Sequence, residues 1–71
     1  MDLYVELGIA MRRLGRHAEA EAELREAVRL NPQDVMARSN LALGLGRQGR
    51  HAESEAAYRQ ALEVQTRRLR R

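Results

Sequence analysis

"RLGRHAEAEAELREAV" (residues 13–28) returns as "RQGRHAESEAAYRQAL" (residues 47–62), displaced by 34 positions. The register holds outside these blocks. Leu7 falls with Leu41, Gly15 to Glu19 with Gly49 to Glu53, and Glu21, Arg25 and Ala27 with Glu55, Arg59 and Ala61. Elsewhere the residue type is kept: Met11 with Leu45, Leu24 with Tyr58, Val28 with Leu62. A fixed period of this size marks a chain built from stacked supersecondary units, none of which can bury its apolar face alone.

Within each unit the apolar residues recur at three and four: Leu3, Leu7, Ala10, Met11 and Leu14, then Ala20, Leu24, Ala27 and Val28. The second unit repeats this with Leu41, Ala42 and Leu45, then Ala57, Tyr58, Ala61 and Leu62. That is helical spacing, carried by the helix formers Ala, Leu, Glu and Arg. Gly15 and Gly49 stand where a first helix must end, and Asn31-Pro32 ends a second. The punctuation predicts four helices, over 2–14, 18–31, 35–48 and 52–68. They form an all-α chain of two stacked helix-turn-helix repeats, residues 1–34 and 35–68, with a basic C-terminal tail at 69–71.

The stretch "GLGRQG" (44–49) matches the G-x-G-x-x-G spacing of a dinucleotide-binding turn. Such a turn follows a strand and opens a helix. Here "MARSNLAL", with helical spacing, comes before it, and Gly49 is the recurring turn glycine. No cofactor is expected. Gly44 replaces Ala10, so a close helix contact can justify it. Gly46 replaces Arg12 and has no such reason; Gly46→Ala is therefore expected to stabilise a loose turn.

Other chemistry is equally sparse. The chain of 71 residues has no Cys, which removes disulfides and thiolate metal sites and fits a cytoplasmic location. No apolar run approaches a membrane span, and "MDLYVELGIA" is acidic where a signal peptide is basic. His17 and His51 occupy equivalent corners, read as partly buried rings, and a third metal ligand is not evident. The many Glu of the second helices include Glu21–Arg25 and Glu55–Arg59, i,i+4 pairs of a solvated face. No nucleophile–base constellation emerges, so no enzymatic activity is expected. The net charge is +3, but Arg67, Arg68, Arg70 and Arg71 supply the excess, and the repeats themselves are near neutral. This distribution disfavours a nucleic-acid-binding fold.

These residues resemble the tetratricopeptide repeat. The first unit presents Tyr4, Leu7, Gly8, Met11, Ala20, Leu24, Ala27 and Pro32 at that family's spacing. The second presents Arg38, Leu41, Ala42, Leu45, Ser54, Tyr58, Ala61 and Thr66, without the first aromatic and the Pro. The resemblance implies close packing of small against large residues. It also implies a protein or peptide partner held in a concave groove lined by the first helix of each repeat. Asp2, Val5, Glu6, Ile9, Arg12 and Arg13 would line it from the first unit, and Met36, Ser39, Asn40, Leu43 and Arg47 from the second. An extended or helical peptide with an apolar anchor and an acidic flank would suit it. Some family members clamp a C-terminal carboxylate with Lys and Asn. Val5 and Ile9 fill those places here and exclude the clamp, although Asn40 matches a further clamp position.

Two repeats form a short stack, so a segment of a longer array is expected. Without Pro at 66 the fourth helix can run on, leaving Leu62, Val64 and Leu69 uncovered. That face offers a second reading, self-association as a homodimer or other homo-oligomer. A third, ranked last, is contact of the Arg-rich tail with nucleic acid or an anionic membrane.

Overall fold

Residues 2–70 are described by a computed structural model of the chain. Met1 and Arg71, the first residue of repeat one and the last of the basic tail, lie outside the described residues. Four helices follow one another: α1 (Leu3–Arg13), α2 (His17–Leu30), α3 (Val35–Arg47) and α4 (His51–Leu69). The second helices begin at His17 and His51, one residue earlier than their spacing suggested. α4 runs through Leu69, taking in the start of the expected tail. At the position of the missing Pro, the Thr66 hydroxyl donates to the Leu62 carbonyl at 2.8 Å, and the helix continues.

The helix ends follow from local chemistry. Asp2 accepts a hydrogen bond from the Tyr4 amide at 2.9 Å, and Asp34 from the Ala37 amide at 3.1 Å, so the first helix of each repeat carries a carboxylate cap. The first helices end alike. Gly15 and Gly49 take φ of 79° and 78°. Arg16 N–H donates to the Met11 carbonyl and Gly15 N–H to Arg12; Arg50 N–H and Gly49 N–H repeat this on Leu45 and Gly46. This is the paired-bond ending that a left-handed glycine makes possible.

α1 packs on α2, α3 on α4, and α2 on α3, so the second repeat sits against the back of the first. Two apolar clusters mark the seam. Val5, Ala27 and Ala37 are joined by Ile9 and Val28; Leu24, Leu41 and Leu45 are joined by Ala57. Gly8 is also buried, against Leu24.

Two expectations, for Val64 and for His51, are corrected. Val64 belongs to the core, only 5% exposed, whereas Leu62 and Leu69 are exposed. Leu62 and Leu69 are seven residues apart and share a face, while Val64 lies about 200° round the helix from Leu62. It points inward, beside Gln33 and Arg38. Tyr58, at the place of the buried Leu24, is half exposed because no helix stands against it as α3 stands against Leu24. His51 is exposed, and only His17 is partly buried.

The glycines of α3 exchange roles. A Cβ on Gly44 would meet no atom within 4 Å, but one on Gly46 would lie 3.2 Å from Ser54 Oγ. That hydroxyl is buried and donates to the Ala42 carbonyl at 2.7 Å, pinning α4 to α3. Gly46 is the glycine with a packing reason. Gly44→Ala is therefore expected to stabilise the fold by about 0.5–1 kcal/mol through helix propensity. Gly46→Ala should fall short of that gain or lose stability. Urea midpoints of the two variants provide the check, and a larger gain from Gly46→Ala would contradict the contact.

Candidate functional site

α1 and α3 present the same face of successive repeats, and their N-terminal halves enclose a hollow of about 370 Å³. Asp2, Val5, Glu6, Ile9 and Met36 line it as the groove reading required, together with Asp34, which that reading omitted. Val5 is 4% exposed and supplies floor rather than a projecting contact. Ile9 is partly buried and Met36 is 63% exposed, so these two are the apolar surfaces a ligand can reach. The rim is acidic: Asp2, Glu6 and Asp34. Asp34 was legible as a helix cap immediately before an apolar-periodic run. Its place across from α1 was not.

The remaining expected groove residues lie elsewhere. Arg12, Arg13 and Arg47 occupy the last turns of α1 and α3. The first helices therefore carry acidic residues where they begin and arginines where they finish. Each end opposes the partial charge of the helix termini beside it, which lowers the energy of concentrating like charges there. The Arg12 Nε is buried without a hydrogen-bond partner among the described residues. Asn40 turns its amide onto its own helix, donating to the Met36 carbonyl at 2.9 Å. Leu43 is partly buried. Ser39 lines a separate hollow with Tyr58, Ala61 and Leu62, away from the groove.

A charge network ties the repeats together across the seam. The Arg50 guanidinium reaches Glu53 at 2.7 Å within its own repeat and Glu21 at 2.6 Å in the preceding one. Glu21 also pairs with Arg25 at 2.9 Å. Burial disfavours the Glu21 carboxylate, but the hydrogen bonds from Arg50 and Arg25 outweigh it and hold its pKa below the usual range. Glu53 is lowered chiefly by Arg50, and the Arg50 pKa is raised chiefly by Glu53 and then Glu21. The sequence-adjacent pairs Glu21–Arg25 and Glu55–Arg59 were expected, and both form. Arg50–Glu21 spans 29 residues and only the stacking creates it. Arg38, in place of the missing aromatic, donates to the Pro32 carbonyl and to Gln60, joining α3 to the preceding link and to α4.

Among the described residues, no three His, Asp or Glu stand close enough to hold a metal ion. No helix among them is long and apolar enough to cross a membrane.

Four helices in two hairpins of one period, stacked through a small-residue seam, constitute a helical-repeat architecture. The family profile described as tetratricopeptide repeat matches residues 5–68. The chain belongs to the tetratricopeptide repeat family. Comparison with curated proteins and with solved structures returns no match. Tetratricopeptide repeats are generally protein–protein interaction modules and typically non-enzymatic scaffolds.

Proposed function

We propose that the chain binds a peptide segment of a protein partner along the face of α1 and α3, and that it has no catalytic role. The observation that carries this reading is the hollow lined by Ile9 and Met36 with an acidic rim, on two helices whose last turns carry arginines. A ligand that matches it is an extended or helical segment. It seats one apolar side chain on Ile9 and Met36, basic residues beside Asp2, Glu6 and Asp34, and acidic residues toward Arg12, Arg13 and Arg47. The acidic flank follows from the arginines seen in the sequence. The basic flank follows from Asp34 joining Asp2 and Glu6. A cytoplasmic location agrees with this reading.

Selection of a random peptide library on the immobilised chain tests it. Enriched peptides should share an apolar residue flanked by opposite charges, and should lose at least about tenfold in affinity for Ile9→Glu, equivalent to ~1.4 kcal/mol. Val5 is unsuitable for this test because charging a core residue unfolds the scaffold. Enrichment without that charge pattern, or binding indifferent to Ile9→Glu, would refute the groove.

The tail offers less support for the nucleic-acid or membrane reading. Arg67 pairs with Glu63 within α4, and Arg67 and Arg68 occupy its last turn, where cations complement the helix dipole.

A further inference from the structure

We propose that copies of this chain stack head to tail, the α4 face of one copy docking on the α1 face of the next. This association repeats the contact already made between α2 and α3 inside the chain. The 34-residue register supplies the template. Inside the molecule, Leu24, Ala27 and Val28 of the first repeat meet Ala37, Leu41 and Leu45 of the second. The counterparts of the first set are Tyr58, Ala61 and Leu62, with Tyr58 45% and Leu62 66% exposed. The counterparts of the second are Leu3, Leu7 and Met11, with Leu3 65% exposed. One chain thus carries both halves of this interface on opposite faces, with Tyr58, Leu62 and Leu3 exposed, Leu7 and Met11 half-buried and Ala61 already covered.

Two further observations single out a second copy as the occupant. The first is volume. In the internal contact a small residue, Ala37, sits against Val5 and Ala27. At the ends the sizes are exchanged: Leu3 stands in place of Ala37, and Ser39 in place of Val5. The smaller Ser39 leaves a hollow of about 240 Å³ beside Tyr58, Ala61 and Leu62, where the register puts Leu3 of the next copy. The exchanged sizes fit each other, as a closely packed interface requires.

The second is charge. The internal seam is bridged by Arg50, which holds Glu53 in its own repeat and Glu21 in the one before. Their counterparts are Arg16, Glu19 and Glu55. Arg16 pairs with Glu19 at 2.7 Å, and Glu55 with Arg59 at 3.0 Å, just as Arg50 pairs with Glu53 and Glu21 with Arg25. What the single chain lacks is the bridging arm, because Arg16 and Glu55 lie at opposite ends. Stacking brings Arg16 of one copy to Glu55 of the next and completes the same four-membered network. Because the two docking faces differ, the contact is heterologous and extends beyond two copies, unlike a closed dimer.

Sedimentation of the 71-residue chain over a range of concentrations tests the stacking. The mean mass should rise continuously past that of a dimer. Leu62→Asp blocks one face and Met11→Asp the other. Each variant alone should be monomeric, and an equimolar mixture should form a dimer and stop there. Retained helical circular dichroism shows that both variants fold. Should either fail to fold, the exposed charge reversals Arg16→Glu and Glu55→Arg replace them. Each should weaken association several-fold alone, and together in one chain they should restore most of it. A wild-type monomer at every concentration, a closed dimer, or self-association of folded Met11→Asp would overturn the proposal. Charge reversals without effect on association would do so as well.

Discussion

Replacing Leu24 by Ala is expected to lower the stability of the fold by about 2–5 kcal/mol, the range for emptying a buried leucine site. Leu24 is the largest side chain that is fully buried, at 1% exposure. Half of the buried apolar residues among those described are alanines, Ala20, Ala27, Ala37, Ala42 and Ala61, so few others carry comparable apolar area. Its position multiplies the effect. It rests on Gly8 within the first hairpin and on Leu41 and Leu45 of the second, so its loss loosens both a hairpin and the seam. A domain of this length has on the order of 4–10 kcal/mol in total. The variant should therefore unfold at a much lower urea concentration, or be unfolded without denaturant, by circular dichroism. A midpoint within error of wild type would show that the seam does not depend on this contact.

Gly8→Ala is expected to destabilise as well, although Ala is the better helix former by about 1 kcal/mol. A Cβ at this position would lie 2.5 Å from Leu24 Cγ and 2.8 Å from Cδ2. The contact is with the branch carbon of the leucine, so rotating a methyl does not relieve it and the whole side chain or the helix must shift. Overpacking of this kind costs about 1–3 kcal/mol, and a clash at the branch carbon puts it above the low end of that range, beyond the propensity gain. The diagnostic is the double variant. With Leu24 shortened to Ala, the opposing atoms are gone, and Gly8→Ala should become neutral or favourable. Such a change of sign is the non-additivity expected of residues in direct contact. Strict additivity would place the cause elsewhere. The second repeat carries Ala42 at the equivalent place, and the half-exposed Tyr58 at that of the buried leucine.

The two glycine results show where sequence reasoning stops. Helical periodicity placed Gly44 and Gly46 inside a helix, but periodicity reports which side of a helix a residue occupies only to within a turn. Whether a neighbour fills the space beyond its Cα depends on the distance between helix axes. Gly46 meets Ser54 and Gly44 meets nothing, the reverse of what comparison with Arg12 and Ala10 suggested. Val64 is a different case. Its nearness in sequence to Leu62 and Leu69 suggests one apolar end, but the helical angle alone puts it on another face.

Within the groove, Glu6, Ile9 and Met36 were legible because the first helices of equivalent repeats must present equivalent faces. Asp34 was not, because its cap role was local while its part in the rim comes from the approach of α1 and α3. The ion pair between Arg50 and Glu21 was invisible for the same reason, since each residue already had a nearer partner in its own helix.

By itself the sequence determined the four helices, the left-handed glycine turns, the two-hairpin order and the family. All of these follow from local dihedral preference and a 34-residue period, which are properties of neighbours along the chain. The tertiary structure alone decided which small residues are crowded, which apolar residues are covered, and which charges meet across the seam. Those depend on how closely and at what angle one hairpin settles on the next. That fit is set by side-chain volumes acting together across the interface, and no single stretch of the chain contains it.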